Sequence, residues 1–374
     1  MIERFYATLG VGVEQVVSRE LQALGITVTR IEPGRARFET DLDGMYRALI
    51  SLRCASRVVR ELHFEEIASE QDVYEVVRTL DWKPWIPPGS TIRVQFNVHS
   101  SLLKSTRFGL YRIKDAICDQ MVEQCGWRPS VDTEKPDLAV RCYLENRRFS
   151  VGLDAAGEPL HMRGYRVTQH ETSLREHLAA AMVLQSGWDA TKPLHDPFCG
   201  SATILTEAAM IATNTPPSHF RNEFGCMGWP DFDAKRFEEL RSEAEARICK
   251  PDGLRISGAD RSSKAIEQAR ANVAAAGYEG VITVEERDVA MLGGLENAWI
   301  ITNPPYGVRT GDEAECVPVW RSFREGVLRC PGARVAVIAA EGGFEKAFGL
   351  KPFKRNRLNN GAIRCVLGQY EVRA

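Results

Sequence analysis

From about residue 190 the chain repeats one pattern four times. A short apolar run stops at a polar or glycine-rich turn, as in "PLHDPFCGSATILTEAAMIA", "LRISGADRSSKAIEQARANVAAAG", "VITVEERDV" and "AWIITNPPYGVRTGD". Strands of this kind, with helices between them, bury both faces only in an open parallel sheet, so the C-terminal half predicts a doubly wound α/β domain. In the second segment Ile266, Ala269, Val273 and Ala276 fall on one helical face. Ser262 or Ser263 supplies the cap and Gly277 the stop.

The N-terminal half has a different texture. Residues 12–24 place Val13, Val16, Val17, Leu21 and Leu24 on one helical face ending at Gly25, between strands "FYATL" and "RARFET". Farther on the apolar period becomes two: Ile92, Val94, Phe96 and Val98; then Leu138, Val140, Cys142 and Leu144; then Phe149, Val151 and Leu153. The last two runs predict a hairpin through "ENRR". This half is therefore α+β. The expected division is 1–60, 61–165, a linker and helix at 166–190, and 191–374, in keeping with a chain of 374 residues.

Composition narrows the partners. The formal net charge is -2, so a nucleic-acid surface must be local. One candidate lies between the strand pairs, where Lys104, Arg107, Arg112 and Lys114 are interleaved with Phe108 and Tyr111; Arg163 and Arg166 follow. A second is the run Lys351, Lys354, Arg355 and Arg357. Each is either a set of phosphate contacts or a solvated charged face. No apolar run of about 18 residues and no export-type N-terminus is present, which predicts a cytoplasmic protein without membrane contact. The ten cysteines form no C-x-x-C pair, which argues against a zinc site and a disulfide framework.

Four strand ends carry candidate chemistry: Asp196 with its glycine turn, Asp260, Asp288 and Asn303. Ligands of open α/β sheets bind at these carboxyl ends. Gly200 stands where the backbone must bend and approach a ligand closely, yet no G-x-G-x-x-G occurs, so a dinucleotide fingerprint is absent. Asp260 suits either a ribose diol or a helix cap; Asp288 suits an adenine amine or a turn. In Asn303-Pro304-Pro305-Tyr306 the prolines end the strand rigidly and leave carbonyls outside any ladder. The Asn303 side chain and the Pro304 carbonyl then suit the two hydrogens of an exocyclic amine. Tyr306 offers a stacking face worth about 1–3 kcal/mol per base, and Gly307 leaves room for approach.

"DPFCGSAT", "GADRS", "ERD" and "NPPYG", in that order, resemble the class I S-adenosylmethionine-dependent methyltransferases of exocyclic amines. The resemblance implies S-adenosyl-L-methionine as cofactor. Its methionine part would lie against Asp196, Pro197, Phe198, Cys199, Gly200, Ser201, Ala202 and Thr203, closed over by Thr172, Ser173 and Arg175. Its ribose would meet Asp260 and Arg261, and its adenine Asp288 and Val289. Asn303, Pro304, Pro305 and Tyr306 would be catalytic, with Asn303 also among the cofactor contacts. Ala202 departs from the family, which has glycine there. "STRFGLYRIKDAICDQM", "RPSVDTEKPDLAVRCYL" and "LHMRGYR" resemble the THUMP RNA-binding domain with its ferredoxin-like neighbour, and "NNGAIRC" resembles the family's closing strands.

Together these imply guanine-N2 methylation of RNA, either 23S ribosomal RNA or its assembly intermediate, or else transfer RNA. No metal is expected, and the oligomeric state is left open with a monomer favoured. Phosphate contacts would come from Lys104, Arg107, Arg112, Lys114, Arg163, Arg166, Lys354 and Arg355. Competing readings are a DNA adenine-N6 methyltransferase, a protein glutamine methyltransferase and a non-catalytic RNA-binding assembly factor.

Overall fold

The computed structural model describes residues 1–103, 105–168, 174–305 and 313–373. Period-two patterning in the N-terminal half becomes a single eight-stranded sheet. Its strands are β1 (Glu3–Leu9), β2 (Thr27–Glu32), β3 (Arg35–Thr40), β4 (Ala55–Glu66), β5 (Thr91–His99), β6 (Ser130–Val131), β7 (Leu138–Glu145) and β8 (Arg148–Asp154), in the order β2-β3-β1-β4-β8-β7-β5-β6. The expected hairpin forms with Val140 opposite Leu153 and Glu145 opposite Arg148.

The division after residue 60 falls inside β4, which pairs with β1 through Ala55–Arg60 and with β8 through Val59–Glu66. β4 carries several charged residues, yet Arg60 and Glu61 are buried. Arg60 pairs with Glu3 at 2.5 Å and Asp231 at 2.6 Å, and Glu61 pairs with Arg37.

The helices Glu70–Thr79 and Thr106–Cys125 pack against each other and cover one end of the sheet. On its other face the sheet is strongly coiled. Arg35 of β3 lies 3.2 Å from the centroid of the Tyr143 ring of β7, although four strand spacings separate them, about 19 Å if the sheet were flat.

The C-terminal half forms the expected parallel sheet. Its strands are β9 (Leu194–Asp196), β10 (Ile256–Asp260), β11 (Ile282–Glu286), β12 (Trp299–Thr302), β13 (Arg334–Ala340), β14 (Lys354–Asn360) and β15 (Ile363–Glu371), ordered β11-β10-β9-β12-β13-β15-β14. Only β15 runs against its neighbours. The chain steps outward from β9 through β10 to β11, then returns to place β12 on the other side of β9. The switch in strand order therefore lies between the ends of β9 and β12. The helices Glu176–Ser186, Thr203–Ala212 and Ser263–Ala275 pack on one face, where Ser262 supplies the cap by accepting from Ala265 N. On the other face Trp320 and Phe323 of the helix Glu313–Leu328 pack over β12 and β13.

Buried arginines join the halves. Arg163 donates to Glu207, Leu160 O and Arg53 O, and Arg221 donates to the carbonyls of Ala156, Glu158, Pro159 and Met162. Eight of the ten cysteines are buried and all are free thiols. No helix among the described residues is long and apolar enough to cross a membrane.

Candidate active site at the switch in strand order

β9 ends in Asp196, whose Oδ1 accepts from Phe198 N at 3.0 Å and from Thr302 Oγ1 at 2.5 Å. Burial pushes the Asp196 carboxyl up to about 7; the Thr302 and Phe198 hydrogen bonds oppose the rise and the Asp260 charge adds to it. The turn that follows docks on the end of β10. Cys199 N donates to Ala259 O at 2.9 Å and Gly200 N to Asp260 Oδ2 at 3.1 Å, while Ser262 N holds Asp260 Oδ1 at 2.9 Å. Asp260 thus fixes the turn and holds Ser262, the residue that caps the following helix, and both its oxygens keep further acceptor capacity.

Gly200 has φ +51°, and a Cβ built on it meets no atom within 4 Å. A side chain there would enter the open space above the turn, the space a ligand's backbone-hugging portion needs. Ala202 is also left-handed, with φ +64°, and is fully buried. Its family glycine is explained by that conformation, in which a non-glycine residue costs about 1–2 kcal/mol. Cys199 is buried and its thiol is pushed well above the usual range by burial, so it is a packing residue and not a nucleophile.

A cavity of about 220 Å³ opens beside the turn, with Pro197, Ala259, Asp288 and Val289 at its lining and His195 and Leu292 along the sheet face. Asp288 is exposed and its carboxylate caps the short turn Val289–Met291 through Ala290 N at 2.8 Å. Arg261 is exposed.

At the end of β12 the Asn303 Oδ1 is buried and has no hydrogen-bond partner among the described residues. Pro304 is buried, and the Pro305 carbonyl accepts from Trp320 Nε1 at 2.7 Å. An orphaned buried acceptor at a strand end is costly unless a ligand supplies its donor.

Three residues unremarked in the sequence complete the site. Thr302 ties β12 to β9, and Trp320 anchors Pro305. Asn272 accepts from Val167 N and Thr168 N at 3.0 and 3.2 Å and donates to Ser201 O at 3.1 Å, so it fastens the linker to the cofactor turn. Its signal was a polar residue on an otherwise apolar helical stripe.

Two expected phosphate contacts are corrected. Arg163 is 1% exposed and paired with Glu207, which is fully buried. Arg166 pairs with Glu176 at 3.2 Å and donates to Thr203 Oγ1 at 2.8 Å and Leu174 O at 3.0 Å. Both are interior ties, because their long stems bury well once the guanidinium is satisfied.

On the helix Thr106–Cys125, Arg107 is exposed beside Tyr111, and Arg112 lies 4.1 Å from the Tyr74 ring centroid. Lys114 is partly exposed, while Phe108 and Tyr111 are 51% and 43% exposed. Arg175 is exposed at the start of the helix Glu176–Ser186, and Lys354 and Arg355 are exposed on β14. Lys104, Thr172, Ser173 and Tyr306 lie outside the described residues.

The sheet order, the lone antiparallel strand and the site at the β9/β12 switch define a class I methyltransferase fold. Residues 163–369 match the RMKL-like methyltransferase domain, residues 68–154 the THUMP domain and residues 4–59 the RlmL ferredoxin-like domain; the chain belongs to the RMKL-like methyltransferase-domain family. The ribosomal RNA large subunit methyltransferase K/L of Methylococcus capsulatus is 36% identical over 386 residues, covering 100% of this chain and 52% of that protein. The chain thus spans about half the length of the curated relatives it matches. SMU.472, solved in complex with SAH, is 28% identical with a TM-score of 0.88, covering 100% of this chain and 99% of that one. A Listeria monocytogenes protein named as an N6-adenine-specific DNA methylase is 29% identical with a TM-score of 0.88, covering 99% and 96%.

Proposed function

We propose that the protein transfers a methyl group from S-adenosyl-L-methionine to the exocyclic N2 amine of a guanosine in RNA, with 23S ribosomal RNA as the substrate, in the cytoplasm. The observation that carries this reading is the buried Asn303 Oδ1 at the switch in strand order, which has no hydrogen-bond partner among the described residues. An amine donor is what that atom lacks. The chain also has room for the cofactor: the open face of Gly200 suits the methionine part, the remaining acceptor capacity of Asp260 suits a ribose diol, and the cavity beside Asp288 and Val289 suits adenine.

When bound, the cofactor supplies an electrophilic methyl group on a sulfonium. The protein's task is to hold the amine still. Asn303 Oδ1 accepts one amine hydrogen and the Pro304 carbonyl the other, which draws the nitrogen towards a tetrahedral shape and aims its lone pair. Positioning of this kind contributes several kcal/mol by itself. No strong base is required, since the methylated amine is transiently acidic. Tyr306 stacks the base, and a guanine within a helix must flip or melt out to reach it.

The THUMP match supports RNA over DNA, and the exposed Arg107, Phe108 and Tyr111 are suited to gripping it. The test is to incubate the protein with methyl-labelled S-adenosylmethionine and RNA from a strain lacking the enzyme, then identify the labelled nucleoside. N2-methylguanosine in 23S RNA is expected. The same nucleoside in transfer RNA would change the substrate, and N6-methyladenosine would overturn the choice of base.

A further inference from the structure

Between Lys346 and Tyr370 the sequence has six basic residues and no acidic one, in a chain of formal net charge -2. All six, Lys346, Lys351, Lys354, Arg355, Arg357 and Arg364, are exposed. They surround β14, the edge strand of the catalytic sheet, and Phe353 stands beside them 60% exposed. So local a concentration of one sign is an electrostatic footprint that the net charge conceals.

Alternation along β14 gives the footprint a direction. Asn356 faces the domain interior and donates to Gln185 Oε1 at 2.5 Å. Arg355 and Arg357 face the opposite side, where they rim a cavity of about 480 Å³. Phe344 and Tyr370 line the cavity. Arg355 reaches Glu345 at 2.6 Å and Arg357 reaches Glu341 at 3.6 Å, yet their side chains stay 57% and 89% exposed. These are surface pairs of low worth, open to exchange for a stronger anion.

The cavity is coupled to the catalytic strand. It lies at the end of β13, the neighbour of β12. Its wall residue Phe344 packs against Trp320 with ring centroids 5.6 Å apart, and Trp320 holds the Pro305 carbonyl. An occupant here sits one aromatic pair away from the Asn303–Pro305 segment.

We propose that this surface binds the single-stranded RNA flanking the target guanosine, with Arg355 and Arg357 on its phosphates, Phe353 under a base and the cavity holding a neighbouring nucleotide. A cationic strand edge with an adjacent aromatic is the combination that grips single strands. The proposal rests on the reading of the protein as an RNA methyltransferase and extends it by a second point of contact, separate from the helix Thr106–Cys125.

The test measures binding of a fluorescein-labelled single-stranded RNA of about 12 nucleotides by anisotropy over a salt series. The double variant Arg355→Ala/Arg357→Ala should bind about tenfold more weakly. Its slope of log affinity against log salt should fall by about 1.4, since each phosphate contact to a single strand contributes about 0.7. Arg357→Lys should retain the wild-type slope, and Phe353→Ala should weaken binding severalfold without altering it. An unchanged slope in the double variant overturns the proposal, as does a loss of binding to poly-glutamate in place of RNA, which would mark a docking surface for an acidic protein. Calorimetry with SAH separates the two readings. Wild-type protein that fails to bind SAH defeats the methyltransferase reading whatever the RNA slope does, whereas SAH binding with an unchanged slope defeats this proposal alone.

Discussion

Thr302 Oγ1 donates to Asp196 Oδ1 at 2.5 Å and so joins the strand that ends in the glycine turn to the strand that ends in Asn303. The hydroxyl sits one residue before the orphaned amide oxygen. A shift of either strand would therefore move the Gly200 turn and Asn303 together.

Burial of the Asp196 carboxyl, which that bond only partly offsets, sets a pH dependence. Asp196 is raised to about 7 by burial, against about 3.9 for an unfolded aspartate. Between those values the folded protein holds a proton that the unfolded chain releases, so stability falls as pH rises and levels off above about 7. Melting curves without cofactor should show wild type losing stability across that window relative to Asp196→Asn, which has no proton to lose. Parallel pH profiles for the two proteins would refute the assignment.

Ala202→Gly should stabilise the protein by up to about 1 kcal/mol. Relief of a left-handed alanine, worth about 1–2 kcal/mol, outweighs the extra freedom of glycine in the unfolded chain. Urea unfolding measures it, and a loss of stability would show that the buried methyl matters more than the backbone.

Asn303→Ala should abolish methyl transfer while leaving SAH affinity within about twofold, because the proposed role gives its buried acceptor to the amine and not to the cofactor. Asp260→Ala should do the reverse at the binding step, weakening SAH by roughly tenfold or more through the lost charge-assisted contacts and the freed Gly200 turn. Calorimetry beside single-turnover transfer distinguishes them; equal losses in both assays for Asn303→Ala would contradict its role.

Arg163→Ala should cost about 3–5 kcal/mol, since it strands the buried Glu207 carboxylate. The salt dependence of RNA binding by the folded fraction should not change. A flatter slope would return Arg163 to the RNA surface.

Asn272→Ala should raise the dissociation constant for SAH severalfold and leave the rate of transfer at saturating cofactor close to wild type. The amide touches the turn at Ser201 O but no catalytic atom. A fall in the saturated rate alone would exclude this positioning role.

The parallel half was legible because buried strands read as apolar runs and their ends carry the chemistry. Asp196, Asp260 and Asn303 meet at one rim as their positions imply. What escaped was charge that the fold turns inward. β4 was not read as a strand because Arg57, Arg60 and Glu61 punctuate it, and only the partners Asp154, Glu3, Asp231 and Arg37, distant in sequence, make its burial tolerable. Arg163 and Arg166 misled for the same reason. A basic residue near an RNA-binding segment reads as a phosphate contact until Glu207 and Glu176 are seen facing it. β2 was missed because it is a largely exposed edge strand whose pattern has little apolar contrast.

The pairing of β4 on both sides has a consequence for how such proteins are assembled and taken apart. A fragment cut near residue 60 would present a raw strand edge, open to pairing with another chain. β4 is the seam through which the two N-terminal family segments share one sheet, so an intact β4 is what keeps β1 and β8 in register with each other.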